Sequence, residues 1–165
     1  MDASFLIGLV ISFGYLGIFL ASLIGSASIF LPLPSFLIVT AAGTTLNPVL
    51  VGVAAGLGAA IGELVGYLIG IGLLYGKKRI SKKKKENKYS KIVKKWFAKK
   101  RGAAIIFIFA ITPLPDDIIG IVCGAIKYDV KKFFAATLAG KIILHIVLAY
   151  AGLYGIEIIK LLFFA

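Results

Sequence analysis

The feature that most constrains this chain is a series of apolar runs long enough to cross a bilayer and almost free of charge. Residues 5–24 are 20 consecutive uncharged positions. At about 1.5 Å per helical residue that length spans a hydrocarbon core of roughly 30 Å. Residues 49–76 add 28 positions with a single charge, Glu63, at their middle. A last run, from about residue 133 to 154, carries only Lys141 and His145. Soluble domains are roughly 45–50% apolar and about a quarter charged, whereas this chain is 60% hydrophobic and 16% charged. In a chain of 165 residues such an excess has no interior to fill, because a domain of that size still exposes a large surface. A soluble globular enzyme and a disordered chain are both excluded. The expected class is an all-α integral membrane protein.

Two of the apolar segments are interrupted in the same way. Residues 26–43 are uncharged but broken by Pro32-Leu33-Pro34, and residues 102–126 repeat the pattern around Pro113-Leu114-Pro115. Proline removes a backbone donor and pushes the preceding residue out of the α region. Half-helices of about ten residues would each cover about 15 Å, half the membrane. The economical arrangement is a re-entrant hairpin with its irregular tip buried in protein; a kinked spanning helix is the alternative. A shift of 81 residues aligns Pro32, Leu33, Pro34, Ile38 and Gly43 with Pro113, Leu114, Pro115, Ile119 and Gly124. Each hairpin precedes a long helix, so the expected fold is one membrane domain over residues 1–165. It has about three transmembrane helices and two re-entrant helical hairpins, in repeats spanning about 26–76 and 103–154. Gly58, Gly62, Gly66 and Gly70 stand at four-residue spacing. They line one helix face for close packing on a neighbour.

The net charge of +12 is concentrated, since residues 77–101 hold 14 of the 19 lysines and arginines and one acid, Glu86. Lying between apolar segments, this block is a loop, and the positive-inside rule makes residues 77–102 cytoplasmic. The two hairpins then enter from opposite sides, so the repeats are inverted, the plan of many secondary transporters. The basic loop would lie against anionic lipid head groups, or act only as a solvated, topology-setting segment. Nucleic acid is not the expected partner. The expected location is the cell membrane, as a multi-pass protein. Cys123, the one cysteine, rules out an internal disulfide framework and reads as a packed hydrophobe.

Charges inside apolar spans are costly and need a reason. Glu63 is at mid-helix, and Asp116 and Asp117 follow the second hairpin's prolines. Lys141 lies one turn before His145 on the last helix. These five are either a structural ion-pair network, with an aspartate against Lys141 or His145, or a site that binds a polar substrate group or relays protons. An excess of carboxylates favours proton uptake, a bound cation or an ammonium group. Tyr67, one turn after Glu63, is a candidate hydrogen-bond partner for it. No metal-ligand spacing, nucleophile elbow, P-loop or dinucleotide motif occurs. No enzyme, metal or cofactor is therefore expected, and an oligomer is allowed.

The motifs together resemble the DedA family, also called the VTT-domain or SNARE-associated Golgi protein superfamily. The resemblance is carried by Phe30-Leu31-Pro32-Leu33-Pro34-Ser35 with Ala41-Ala42-Gly43, and by Gly62-Glu63-Leu64-Val65-Gly66-Tyr67-Leu68-Ile69-Gly70. It continues in Lys95-Trp96-Phe97-Ala98-Lys99, Thr112-Pro113-Leu114-Pro115 leading to Gly124, and Phe133-Phe134 through Gly140-Lys141. It implies facing inverted hairpins and movement of lipids, such as polyprenyl phosphates or phospholipids, between leaflets, with coupling to protons or cations. Glu63 matches a position that is usually Asp, Asn or Glu. The family's acid after the first proline motif is replaced by Phe36, and its paired arginines fall at Ala110 and Asp116. The expected function is thus a lipid flippase or scramblase. A proton-coupled solute or cation transporter and a non-transporting scaffold are the alternatives.

Overall fold

The structure is a computed structural model that describes residues 8, 10–27, 33–80, 96, 97, 101–112 and 117–164. Among these, no strand occurs, and the helices in chain order are α1 (Tyr15–Ala27), α2 (Leu33–Gly43), α3 (Pro48–Ile80), α4 (Arg101–Ile111), α5 (Asp117–Ala125) and α6 (Val130–Phe164). Two stretches, Pro48–Leu73 in α3 and Val130–Gly155 in α6, are long and apolar enough to cross a membrane. The run over residues 5–24 is not one continuous helix in its described part. Gly14 adopts a left-handed φ of 55°, which glycine accepts without steric cost, and α1 restarts after it. Pro32, Pro113, Pro115 and Asp116 lie outside the described residues, as does most of the basic segment, while Pro34 is in the first turn of α2.

Local sequence sets the ends of the long helices. Asn47 caps α3, its Oδ1 accepting from the backbone N–H groups of Val49 at 3.0 Å and Leu50 at 3.2 Å, with Pro48 at the first helical position. Asp129 caps α6 in the same way, accepting from Lys132 N at 3.0 Å. Asn47 and Asp129 are 82 residues apart, as are Pro48 and Val130. The hairpin repeat has a spacing of 81, so one extra residue enters between α5 and α6. It is accommodated where Lys127 takes a left-handed φ of 56°. There the Lys127 N–H bonds Gly124 O at 3.0 Å and the Tyr128 N–H bonds Cys123 O at 2.9 Å, a Schellman termination.

Close glycine contacts fix the helix directions. Gly52 lies on Ile146 and Gly56 on Ile142, so α3 and α6 run antiparallel. Gly43 of α2 abuts the Ala149 carbonyl of α6, while Gly152 of α6 abuts the Thr40 carbonyl of α2. That reciprocal contact, each glycine on a carbonyl three residues before its counterpart, is a parallel crossing that a Cβ would block. The second half repeats it: Gly124 of α5 abuts Tyr67 O and Gly70 of α3 abuts Ile121 O. Gly58 and Gly62 pack on residues 19–27 of α1, which therefore runs with α3. It follows that α1 and α2 run in opposite senses, and Gly25 of α1 meets Ser35 of α2 close to their connection.

The described helices thus fall into two units, α1–α2–α3 and α4–α5–α6, whose long helices α3 and α6 are antiparallel. The second arm of each packs on the long helix of the other: α2 on α6 and α5 on α3. The structural repeat also begins earlier than the sequence repeat, because the counterpart of α4 is α1, from Tyr15.

Large apolar side chains face outward, among them Ile11 (80% exposed), Leu37 (72%), Leu68 (63%) and Val147 (59%). The interior holds small and apolar residues in clusters around Ile18, Val39 and Val51 at one end and around Tyr67, Cys123 and Phe133 at the other. Soluble domains do not expose apolar surface so widely.

Candidate functional site

Between the two apolar clusters lie buried polar groups. Glu63 (2% exposed), Lys141 (4%) and His145 (1%) are enclosed together with Ser35 and Thr137. Lys141 Nζ stands 3.0 Å from Glu63 Oε1, which joins α6 of one unit to α3 of the other. The His145 ring nitrogen Nδ1 lies 2.7 Å from the Lys141 carbonyl. A carbonyl can only accept, so Nδ1 is the donor in this contact. Phe36 meets the His145 ring edge-on at 5.9 Å between centroids.

The cap-to-cap spacing shows what the site is. Glu63 is the sixteenth residue of α3, and 82 positions on, the sixteenth residue of α6 is His145. Opposite each stands the first turn of a shorter helix. A Cβ on Gly66 would be 3.4 Å from Asp117 O, and one on Gly120 would be 3.4 Å from Glu63 O, which sets the first turn of α5 beside Glu63. The first turn of α2, with Ser35 and Phe36, is set beside His145 by the aromatic contact. By the 81-residue spacing Ser35 and Phe36 correspond to Asp116 and Asp117. The site is therefore two pseudo-symmetric half-sites. One holds Glu63 and Asp117, the other His145, Ser35 and Phe36, and Lys141 reaches from the second into the first.

Of the expected site residues, Glu63, Lys141 and His145 are brought together, Asp117 lies at the same level, and Asp116 is outside the described residues. The sequence sets Asp116 or Asp117 against Lys141 or His145; the structure adds Glu63 as a partner of Lys141 at 3.0 Å. Tyr67 does not turn to Glu63. Its hydroxyl donates to the Tyr128 carbonyl, with Phe133 tilted against its ring at 5.2 Å. The glycine stripe serves two neighbours, Gly58 and Gly62 receiving α1 and Gly66 and Gly70 receiving α5. Thr137, buried one turn before Lys141, went unnoticed, although its four-residue spacing from Lys141 puts both on one face. Among the described residues no three His, Cys, Asp or Glu side chains gather to hold a metal ion.

Buried charges midway along two antiparallel, membrane-length helices, each faced by the start of a shorter helix, define a membrane protein of transporter-like build. The chain belongs to the VTT-domain family, the DedA family: that domain matches residues 33–154, which contain α2 through most of α6 and every described site residue. A relative from Lactococcus lactis subsp. lactis (strain IL1403), described as an alkaline phosphatase-like protein, is 35% identical over 152 residues, covering 85% of this chain and 70% of the relative. No solved structure matches the chain.

Proposed function

We propose that this protein moves lipids between the two leaflets of the cell membrane as a multi-pass carrier, without catalysing a reaction of its own. The observation that carries this is the Glu63–Lys141 pair, buried at the junction of two inverted units. Intramembrane charge is retained where a polar group must be received, and inverted repeats allow a central site to be opened to either side. In this proposal the arms α1–α2 and α4–α5 are re-entrant hairpins entering from opposite faces. The basic segment is cytoplasmic by the positive-inside rule and lies against anionic head groups. The relative's phosphatase-like name belongs to that relative; here, the buried charges hold a head group during passage.

Reconstitution tests this. In vesicles carrying a trace of head-group-labelled phospholipid, the purified protein makes the inner-leaflet label reachable by a membrane-impermeant quencher. A Glu63→Gln/Lys141→Met variant, neutral at both positions, keeps its elution profile and loses that activity. Wild-type vesicles that leave the inner label protected while taking up a solute along a proton gradient convert the assignment to a proton-coupled solute or cation carrier. Vesicles that do neither leave a scaffold.

A further inference from the structure

The two half-sites differ in charge although their backbones correspond. Beside α3 there are two carboxylates, Glu63 and Asp117. Beside α6 there are Lys141, His145 and the buried hydroxyl of Ser35, with Phe36 where the other half has an acid. From the other packed helices, α1 brings the hydroxyl-bearing Ser22 and Ser26, and α4 has no titratable group after Arg101 at its start.

We propose that this site receives a zwitterionic head group, a phosphodiester joined to a primary amine, and that the Glu63–Lys141 ion pair is its internal replica. When the head group enters, its phosphate oxygen takes the place of Glu63 on Lys141, and its ammonium takes the place of Lys141 on Glu63. One ion pair becomes two, no bond is made or broken, and no proton is required. The site's charge is unchanged throughout, which suits a low-dielectric interior where any uncompensated charge is costly.

Three observations favour this occupant. First, the repeated backbone frame does not itself require a lysine at this level: the position equivalent to Lys141 in α3 is Ala59, fully buried. A buried ion pair is weak evidence of stabilisation and is often replaceable by apolar residues. Second, a purely anionic head group on Lys141 would be brought up to Glu63 and Asp117, whose like charge opposes it unless a proton is taken up. An ammonium is instead attracted by both carboxylates. Third, the phosphate end has the groups an anion uses: Lys141, the Ser35 hydroxyl in the first turn of α2, and the positive end of that helix's dipole.

The inference rests on the lipid-carrier proposal for the tail of its ligand, but it is tested by binding, which needs no translocation. The full chain in neutral detergent is titrated with short-chain phosphatidylethanolamine, short-chain phosphatidylglycerol, O-phosphoethanolamine and inorganic phosphate, in weak buffer with a pH indicator. Phosphatidylethanolamine is expected to bind at least about tenfold more tightly than phosphatidylglycerol, with no proton uptake. If O-phosphoethanolamine binds equally well, the source is the free head group; if it binds only weakly, it is the lipid. The Glu63→Gln/Lys141→Met protein, which buries no charge at either position, is expected to lose the preference. Lys141→Arg is expected to keep it. Tighter binding of phosphatidylglycerol with uptake of a proton overturns the proposal in favour of anion–proton exchange. An undiminished preference in the double variant, or no binding of any of the four, also overturns it. Failure to move lipid in vesicles while the preference persists in detergent removes the carrier proposal alone.

Discussion

The two units share a backbone frame and differ in what they bring to its centre. Gly43 and Gly152 in one crossing correspond to Gly124 and Gly70 in the other, and Asn47 and Asp129 cap the two long helices alike. The side chains around the midpoint break the symmetry: Glu63 against His145, Asp117 against Phe36, Ala59 against Lys141. The first arms differ as well. Gly58 and Gly62 seat α1 closely on α3, whereas the equivalents in α6 are Gly140, which receives Ala110 of α4, and Leu144, which is not a glycine. What the two units hold in common builds the fold, and what they hold apart builds the site.

The largest expected effects test the unshared residues. Lys141→Met alone leaves the Glu63 carboxylate buried beside Asp117 without its 3.0 Å partner. Removing one member of a buried pair costs about 3–5 kcal/mol. Adding Glu63→Gln should restore most of that loss, readable as the midpoint of thermal unfolding in detergent; strictly additive losses would mean that Lys141 is stabilised mainly by other groups. The ion pair also means that Glu63→Gln by itself tests folding together with function.

Next come the shared glycines. Gly43→Ala and Gly124→Ala each drive a methyl group into a backbone carbonyl of the opposite long helix, an overpacking worth about 1–3 kcal/mol. Because the two crossings are equivalent, the two losses should be similar. A loss at only one of them would show that the two arms are not equally seated.

The smallest effects distinguish the two caps. Asn47→Ala should cost about 1 kcal/mol at any pH. The Asp129 carboxyl is held below its ordinary range, chiefly by the backbone N–H of Lys132. Its contribution is therefore present above the unfolded-state pKa and is lost as pH falls through the lower folded-state value. Acid titration of the Asn47→Ala and Asp129→Asn proteins checks this: only the second should lose the part of the acid destabilisation that comes from the cap.

Much of the frame was legible in the sequence because it depends on composition and period. Uncharged runs and a four-residue glycine spacing each have a direct physical meaning. The interruption at Gly14 was not legible, since a glycine inside an apolar run is as often packing as a break. The correspondence of Glu63 with His145 was hidden by the single residue added around Lys127. That residue leaves the hairpins at one spacing and moves the long helices to another, so one fixed shift finds only the hairpins. The caps carried the signal, Asn47 and Asp129 each opening an apolar run. The Glu63–Lys141 pairing was illegible for another reason. Sequence gives the depth of a charge along a helix but not the rotation of that helix toward its neighbour. Here the rotation is set by Gly52 and Gly56 admitting Ile146 and Ile142 of α6.

The exchange of second arms has a consequence for biogenesis. A chain emerging from the ribosome delivers α2 about a hundred residues before the α6 segment against which it seats. During that interval its Gly43 surface has no permanent neighbour, and it must wait in the membrane or be shielded by the insertion machinery. The second half meets no such delay, because α3 is already in place when α5 arrives. Maturation of the first unit thus waits for α6, and a synthesis halted before that helix would leave an unfinished interior rather than a smaller working protein.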